Sequence, residues 1–181
     1  MTALAQRVLA ADVERERPVL ALTRLLDDLG GLLRTIEPIT YTARPMPGVS
    51  GSVGEHVRHI LDHVAAFVAA RPHGVMTYDR RERGTAVEAD PAAAVRAIVR
   101  LTLALEDAAD ADLDVSVAVQ TLLVRDEDPV ICWSTLKREL AFVIAHTVHH
   151  QALVAVLLAM FGDHVPEGFG FAASTPRIGH A

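Results

Sequence analysis

Residues Ser134–Phe161 read as one long helix, and near its middle His146 and His150 stand four residues apart in an otherwise apolar run. That spacing stacks both imidazoles on one helical face, together with Val143, Leu153 and Leu157. The two rings therefore point at a neighbouring element and not at water. A buried imidazole needs a partner for each ring nitrogen. Two of them one turn apart on an apolar stripe are costly unless something binds both. A divalent metal does so, because neutral imidazole is a good ligand. Whatever this chain folds into must bring a second element against that face.

The segment from Ser52 to about Ala70 is suited to that place. Ser52 is a good N-cap, and Val53, Val57, Ile60, Val64 and Phe67 form an apolar stripe at helical spacing. His56, His63 and His59 fall in that order along one flank of the stripe, within an arc of about 60°. A third histidine from this helix would complete a three-histidine site, which leaves a coordination position for water or substrate. By position on the wheel, His56 and His63 lie nearer the stripe than His59. The plain alternative is a set of histidines hydrogen-bonded at the edge of a core. A zincin-type protease is excluded, because Thr147 follows His146 where that motif requires glutamate.

The rest of the chain supplies the remaining helices. Val19–Ile36 places Leu22, Leu25, Leu26, Leu29, Leu32, Leu33 and Ile36 at three- and four-residue steps. Pro18 suits the first turn of that helix and Pro38 ends it, with a short helix near Ala3–Glu14 before it. Tyr41–Gly51 reads as a loop. Val75–Ala89 reads as a long ordered loop anchored by Tyr78 and Val87. Asp90-Pro91 opens a third helix that runs to about Ala109. Leu113–Val124, rich in Val and Thr, favours a β-hairpin or two short extended pieces over a helix, and Ser134 caps the last helix, which ends at Gly162. The expected fold is all-α: a four-helix bundle with a long second-to-third helix loop and a short β-hairpin before the last helix, in one domain over residues 1–181.

Composition narrows the function. With 51% hydrophobic and 22% charged residues the chain is an ordinary globular one. A formal charge of −6 makes it a poor partner for phosphate backbones, so no nucleic-acid role is expected. Arg138, Glu139, His146, His149 and His150 inside the last helix argue against a membrane span. One cysteine, Cys132, cannot form an internal disulfide, and no secretion signal is visible, so a cytoplasmic location is expected.

The stretches Ser52-Val53-Gly54-Glu55-His56-Val57-Arg58-His59-Ile60 and His146-Thr147-Val148-His149-His150 resemble those of the DinB-like (YfiT-type) superfamily, and helix order and chain length fit as well. The resemblance implies a four-helix bundle that binds a divalent metal through three histidines, one on the second helix and two, four apart, on the last. Carried onto this chain the ligands become His59, His146 and His150, with His59 seven residues after the Ser52 cap. His63 is the runner-up, and His56 and His149 are further alternative ligands or neighbours of the site. Zn, Ni and Fe all suit such a site. Some relatives transfer or isomerise with low-molecular-weight thiols such as bacillithiol or mycothiol. Many relatives continue the second motif with Arg-Gly-Gln, where this chain has Gln151-Ala152-Leu153, which sets it on a different branch.

Tyr78, Arg81 and Arg83 could form a substrate rim over the metal, although a loop tied down by its own ion pairs is the reading favoured here. Glu139 is expected to pair with Arg58 or another base inside the bundle. Cys132 is expected to pack as a small hydrophobe, and Trp133 to anchor the start of the last helix. The tail Pro166–Ala181 should cross one end of the bundle, with His164 and His180 in solvent. Three functions compete: a metal-dependent thiol-S-transferase or small-molecule hydrolase; a non-catalytic bundle with a structural metal; and a metal-free interaction or stress-associated protein. A homodimer through an exposed apolar face of the first or last helix is compatible with all three.

Overall fold

Leu22, Leu26, Leu29 and Leu33 are all buried, and their spacing is the reason the first helix exists. In the computed structural model, which describes residues 3–45, 51–70, 72–80, 82–107 and 112–176 and side chains from residue 17 onward, that helix is α1, Ala3–Leu33. It is continuous through Pro18, so the expected short helix and its successor are one element. A proline inside a helix removes one backbone hydrogen bond, at about 3 kcal/mol, and the leucine stripe beyond it outweighs that cost. The helix stops at Leu33, and Pro38 opens a second one, α2, Pro38–Thr42. Tyr41, expected in a loop, is buried there.

α3, Val53–Val68, begins with a full capping box: the Ser52 side chain accepts from the Glu55 backbone N–H, and the Glu55 carboxylate accepts from the Ser52 N–H. Its expected stripe of Val53, Val57, Ile60, Val64 and Phe67 is buried throughout. The segment 75–89, expected as loop, holds a two-residue strand, β1, Val75–Met76, and one helical turn, α4, Ala86–Ala89. α5, Pro91–Asp107, is capped by Asp90, whose carboxylate accepts from Ala92 and Ala93.

A hairpin follows, but not within the expected segment. β2, Ser116–Thr121, pairs antiparallel with β3, Val130–Thr135, from Ser116 opposite Thr135 to Thr121 opposite Val130. β1 adds to β2 in parallel, Val75 beside Ala118, so the sheet order is β1-β2-β3. The last helix, α6, Leu136–Phe161, is capped by Thr135 and not by Ser134. Its end at Gly162, φ 80°, is as expected.

The chain is thus mostly helical with a small three-stranded sheet. The long helices share one core: α3 lies on α5 and α6, and α1 on the same two. α6 is apolar and long enough to cross a membrane by length and composition alone. Here it lines the core with Leu140, Val143, Val154, Leu157 and Leu158. Gln151, buried beside them, donates to the Leu25 carbonyl at 2.7 Å and ties α6 to α1.

Two glycines mark close approaches. A Cβ on Gly54 would lie 2.1 Å from the Glu88 carbonyl oxygen, so α4 can rest on α3 only there. Tyr41 closes the same joint by donating to the Val87 carbonyl at 2.6 Å. A Cβ on Gly170, φ 76°, would lie 2.6 Å from the Ala152 nitrogen. The tail therefore rests on α6 one turn or less from His149 and His150, with Phe169 buried and Phe171 exposed. The tail thus packs across the C-terminal half of the last helix. His164 is exposed as expected, and His180 lies outside the described residues.

Candidate metal centre

α3 and α6 pack side by side, and the flank of the α3 stripe meets the histidine face of α6. Six imidazoles converge along this seam. His59, His146 and His150 each offer a ring nitrogen, and these nitrogens all lie within 4.8 Å of one another. The Nε2 atoms of His59 and His146 are 3.0 Å apart. Ligand nitrogens about 2.05 Å from a tetrahedral zinc stand about 3.3 Å from each other. The donor set thus fits a first-row divalent ion in chemistry and in spacing. His150 is buried, whereas His59 and His146 are only partly so, which leaves the cluster open toward one side.

His150 is held neutral. Burial pulls its pKa down to about 3, and the nearby His146, His56, His149 and His63 pull in the same direction. A neutral ring is the form that ligates a metal. His56 places its Nδ1 3.0 Å from the Nδ1 of His150, the kind of contact by which an outer imidazole orients a ligating one. His149 is exposed and meets His150 edge-on, ring centroids 5.0 Å apart.

His63 is the most buried of the α3 histidines, although the wheel set His56 nearer the stripe, and it falls outside the group of three. Its Nδ1 lies 3.0 Å from the His59 carbonyl oxygen one turn back. Its ring is stacked between those of His146, at 3.9 Å, and Tyr78, at 5.0 Å. Phe142 closes these rings into a cluster, with centroids 5.2 Å from Tyr78, 5.6 Å from His146 and 6.1 Å from His63. Phe142 escaped the sequence reading, although its place one turn before His146, with His150 one turn beyond, was visible in the spacing.

Of the three expected rim residues, Tyr78 alone is shown against the histidines. Arg83 is exposed, and Arg81 lies outside the described residues. Arg80, Glu82 and Thr85 line a groove on another face of α3, with Arg58 and Asp62. Tyr78 donates its hydroxyl to Glu139 at 3.1 Å, and Glu139 also accepts from Ser134 at 2.6 Å. Burial and the Glu139 carboxylate push the Tyr78 pKa upward, so the phenol stays protonated. The expected Glu139–Arg58 pair is therefore not formed. Arg58 instead bridges Asp62 and Glu88, and Glu88 accepts from the Gly84 N–H at 2.6 Å. Asp79 accepts from Leu122 at 2.7 Å. Among the described residues the loop is thus held by contacts to neighbouring elements and to its own backbone, and not by the ion pairs of its own that were favoured above.

Cys132 and Trp133, expected to be packed, are both exposed on β3. The anchor of the last helix is Leu136, which is buried.

A mostly helical chain with three histidines converging from two of its helices defines a class of candidate metal proteins. The sequence profile of the DinB superfamily matches residues 21–154, a span that holds all six clustered histidines, and the chain belongs to that superfamily. Among curated proteins, the chain is similar to the FK506-binding protein 5 of Rhizopus delemar, 30% identical over 102 residues. The match covers 56% of this chain and 26% of that protein, so the chain spans about a quarter of the length of the relative it matches. No solved structure matches the chain.

Proposed function

We propose that this protein is a four-helix-bundle metalloenzyme that holds a divalent transition metal (zinc, nickel or iron) on His59, His146 and His150. Its reaction is transfer of a low-molecular-weight thiol to a small molecule, or hydrolysis of a small molecule. The observation that carries this reading is the convergence of three neutral-capable imidazole nitrogens within 4.8 Å at a partly open seam. Three protein ligands leave room for a substrate atom. The bound metal supplies Lewis acidity, which favours the deprotonated form of a thiol or water near neutral pH.

The chain's own residues supply the rest. His56 orients the His150 ring through its Nδ1. The clustered rings of Phe142, His146, His63 and Tyr78 wall one side of the site against water. Tyr78, kept protonated by Glu139, serves as a neutral hydrogen-bonding group and not as a base.

The test is elemental mass spectrometry of the purified untagged protein beside His59→Ala and His150→Ala, followed by thiol-transfer and hydrolase screens of the loaded protein. Near one equivalent of metal in the wild type and little in either variant is the expected result. A wild type that takes up no metal even after reconstitution would end this reading.

A further inference from the structure

β3 is one of the two outer strands of the sheet, and its composition is unusual for an exposed edge. Natural edge strands are guarded by lysine, inward charges or bulges against pairing with another chain. Val130–Thr135 contains no charge, and among the described residues no strand pairs with its outer side. Val130, Ile131 and Trp133 are exposed there, Trp133 at 76%, and Leu122, Leu123 and Val124 of the hairpin continue the apolar surface. The charges stand at the two ends instead. Asp126, Glu127 and Asp128 precede the strand, and Lys137 and Arg138 follow it.

We infer that this edge is a dimer interface, in which β3 pairs antiparallel with β3 of a second copy to give one continuous six-stranded sheet. The charges decide the occupant and the direction. An antiparallel pair sets the acidic end of each strand on the basic end of the other, twice, whereas a parallel pair would set like on like. A two-fold axis normal to the sheet leaves every side chain on its own face, so the central residue must oppose itself. Centring on Cys132 places Ile131 opposite Trp133 of the second copy, and brings Glu127 to Lys137 and Asp126 to Arg138. Apolar and opposite-charge cross-strand pairs of this kind stabilise an antiparallel ladder. The interface is on the hairpin, not on a helical face as the sequence reading expected of a dimer. It does not depend on the metal.

The test is sedimentation equilibrium over a wide concentration range, with Trp133, the only tryptophan, as an internal probe. The expected result is a reversible dimer whose tryptophan emission shifts to the blue as it forms. Ile131→Lys should be monomeric at those concentrations with an unchanged far-UV circular dichroism spectrum. Glu127→Lys and Lys137→Glu should each weaken the dimer at least about tenfold, and their combination in one chain should restore it. Mild oxidation should link two chains through Cys132, because directly opposed antiparallel residues have Cα atoms about 4.5–5.5 Å apart, within disulfide range. A monomer at every concentration overturns the inference. So does a dimer that survives Ile131→Lys, or one that resists the Cys132 cross-link.

Discussion

At the scale of the residue, the seam between α3 and α6 is a set of close-packed imidazoles, one of which has its protonation state set by burial and by its neighbours. His150 is the clearest case. Its pKa is pulled to about 3 in the fold, against about 6.5 in an unfolded chain. The folded state therefore takes up a proton less readily than the unfolded state. Its contribution is fully present above pH 6.5 and is lost as pH falls from there toward 3. In metal-free protein, the stability of the wild type relative to His150→Gln should be constant above neutrality and decline through that window. Urea unfolding at a series of pH values in the presence of chelator measures it; a flat difference would mean that His150 is not desolvated as described. The sequence made the His146–His150 pair visible, because four-residue spacing is a local property. It could not choose among His56, His59 and His63. Which of the three comes near that pair depends on where α6 crosses α3, and in the structure it is His59 whose ring nitrogen lies within 4.8 Å of those of His146 and His150.

At the scale of the element, what was legible is what the chain specifies locally. The Ser52 cap, the Asp90 cap and the Gly162 stop each depend on a few neighbouring residues, and each was found where the sequence placed it, with Glu55 completing a box at the first. Ser52→Ala should cost about 1 kcal/mol by equilibrium denaturation, since it removes the side-chain acceptor of that box. α2, α4 and β1 were not legible. They are short, and each is held by tertiary contacts: Tyr41 on Val87, Glu88 on Gly54, Val75 beside Ala118. β3 was missed because its exposed apolar residues show no alternation between core and solvent. The joint of α2, α3 and α4 has its own consequence. Any side chain at position 54 must displace the Glu88 carbonyl, so Gly54→Ala should destabilise the protein by about 1–3 kcal/mol. Because Glu88 also pairs with Arg58 and anchors Gly84, the same variant should loosen the loop 82–85, seen as faster amide exchange there. Unchanged exchange with lowered stability would place the strain elsewhere.

At the scale of the whole molecule, the position of the histidines relative to the core decides what a metal can do for the fold. The apolar interior runs from α1 through α5 to α3 and α6, and it is filled by leucine, valine and isoleucine that need no ion to bury them. The histidines lie along one flank of that interior, with His59 and His146 only partly covered. A structural metal is required where the protein has too little core to fold without it, and removing it then unfolds the chain. This chain has a continuous core spanning all four long helices, so the metal-free protein should keep its helical circular dichroism. Metal should then act only by linkage. At a hundredfold excess over its dissociation constant it adds about 2.7 kcal/mol, which for a chain of this size raises Tm by about 5–10 °C. The rise should scale with the logarithm of free metal and be absent in His59→Ala and His150→Ala. Thermal scans with and without chelator separate the two roles. Loss of helix on chelation at ordinary temperature would make the ion a staple and remove the case for an open site. A modest shift that grows with the logarithm of free metal, on an intact fold, is what the proposed open site requires.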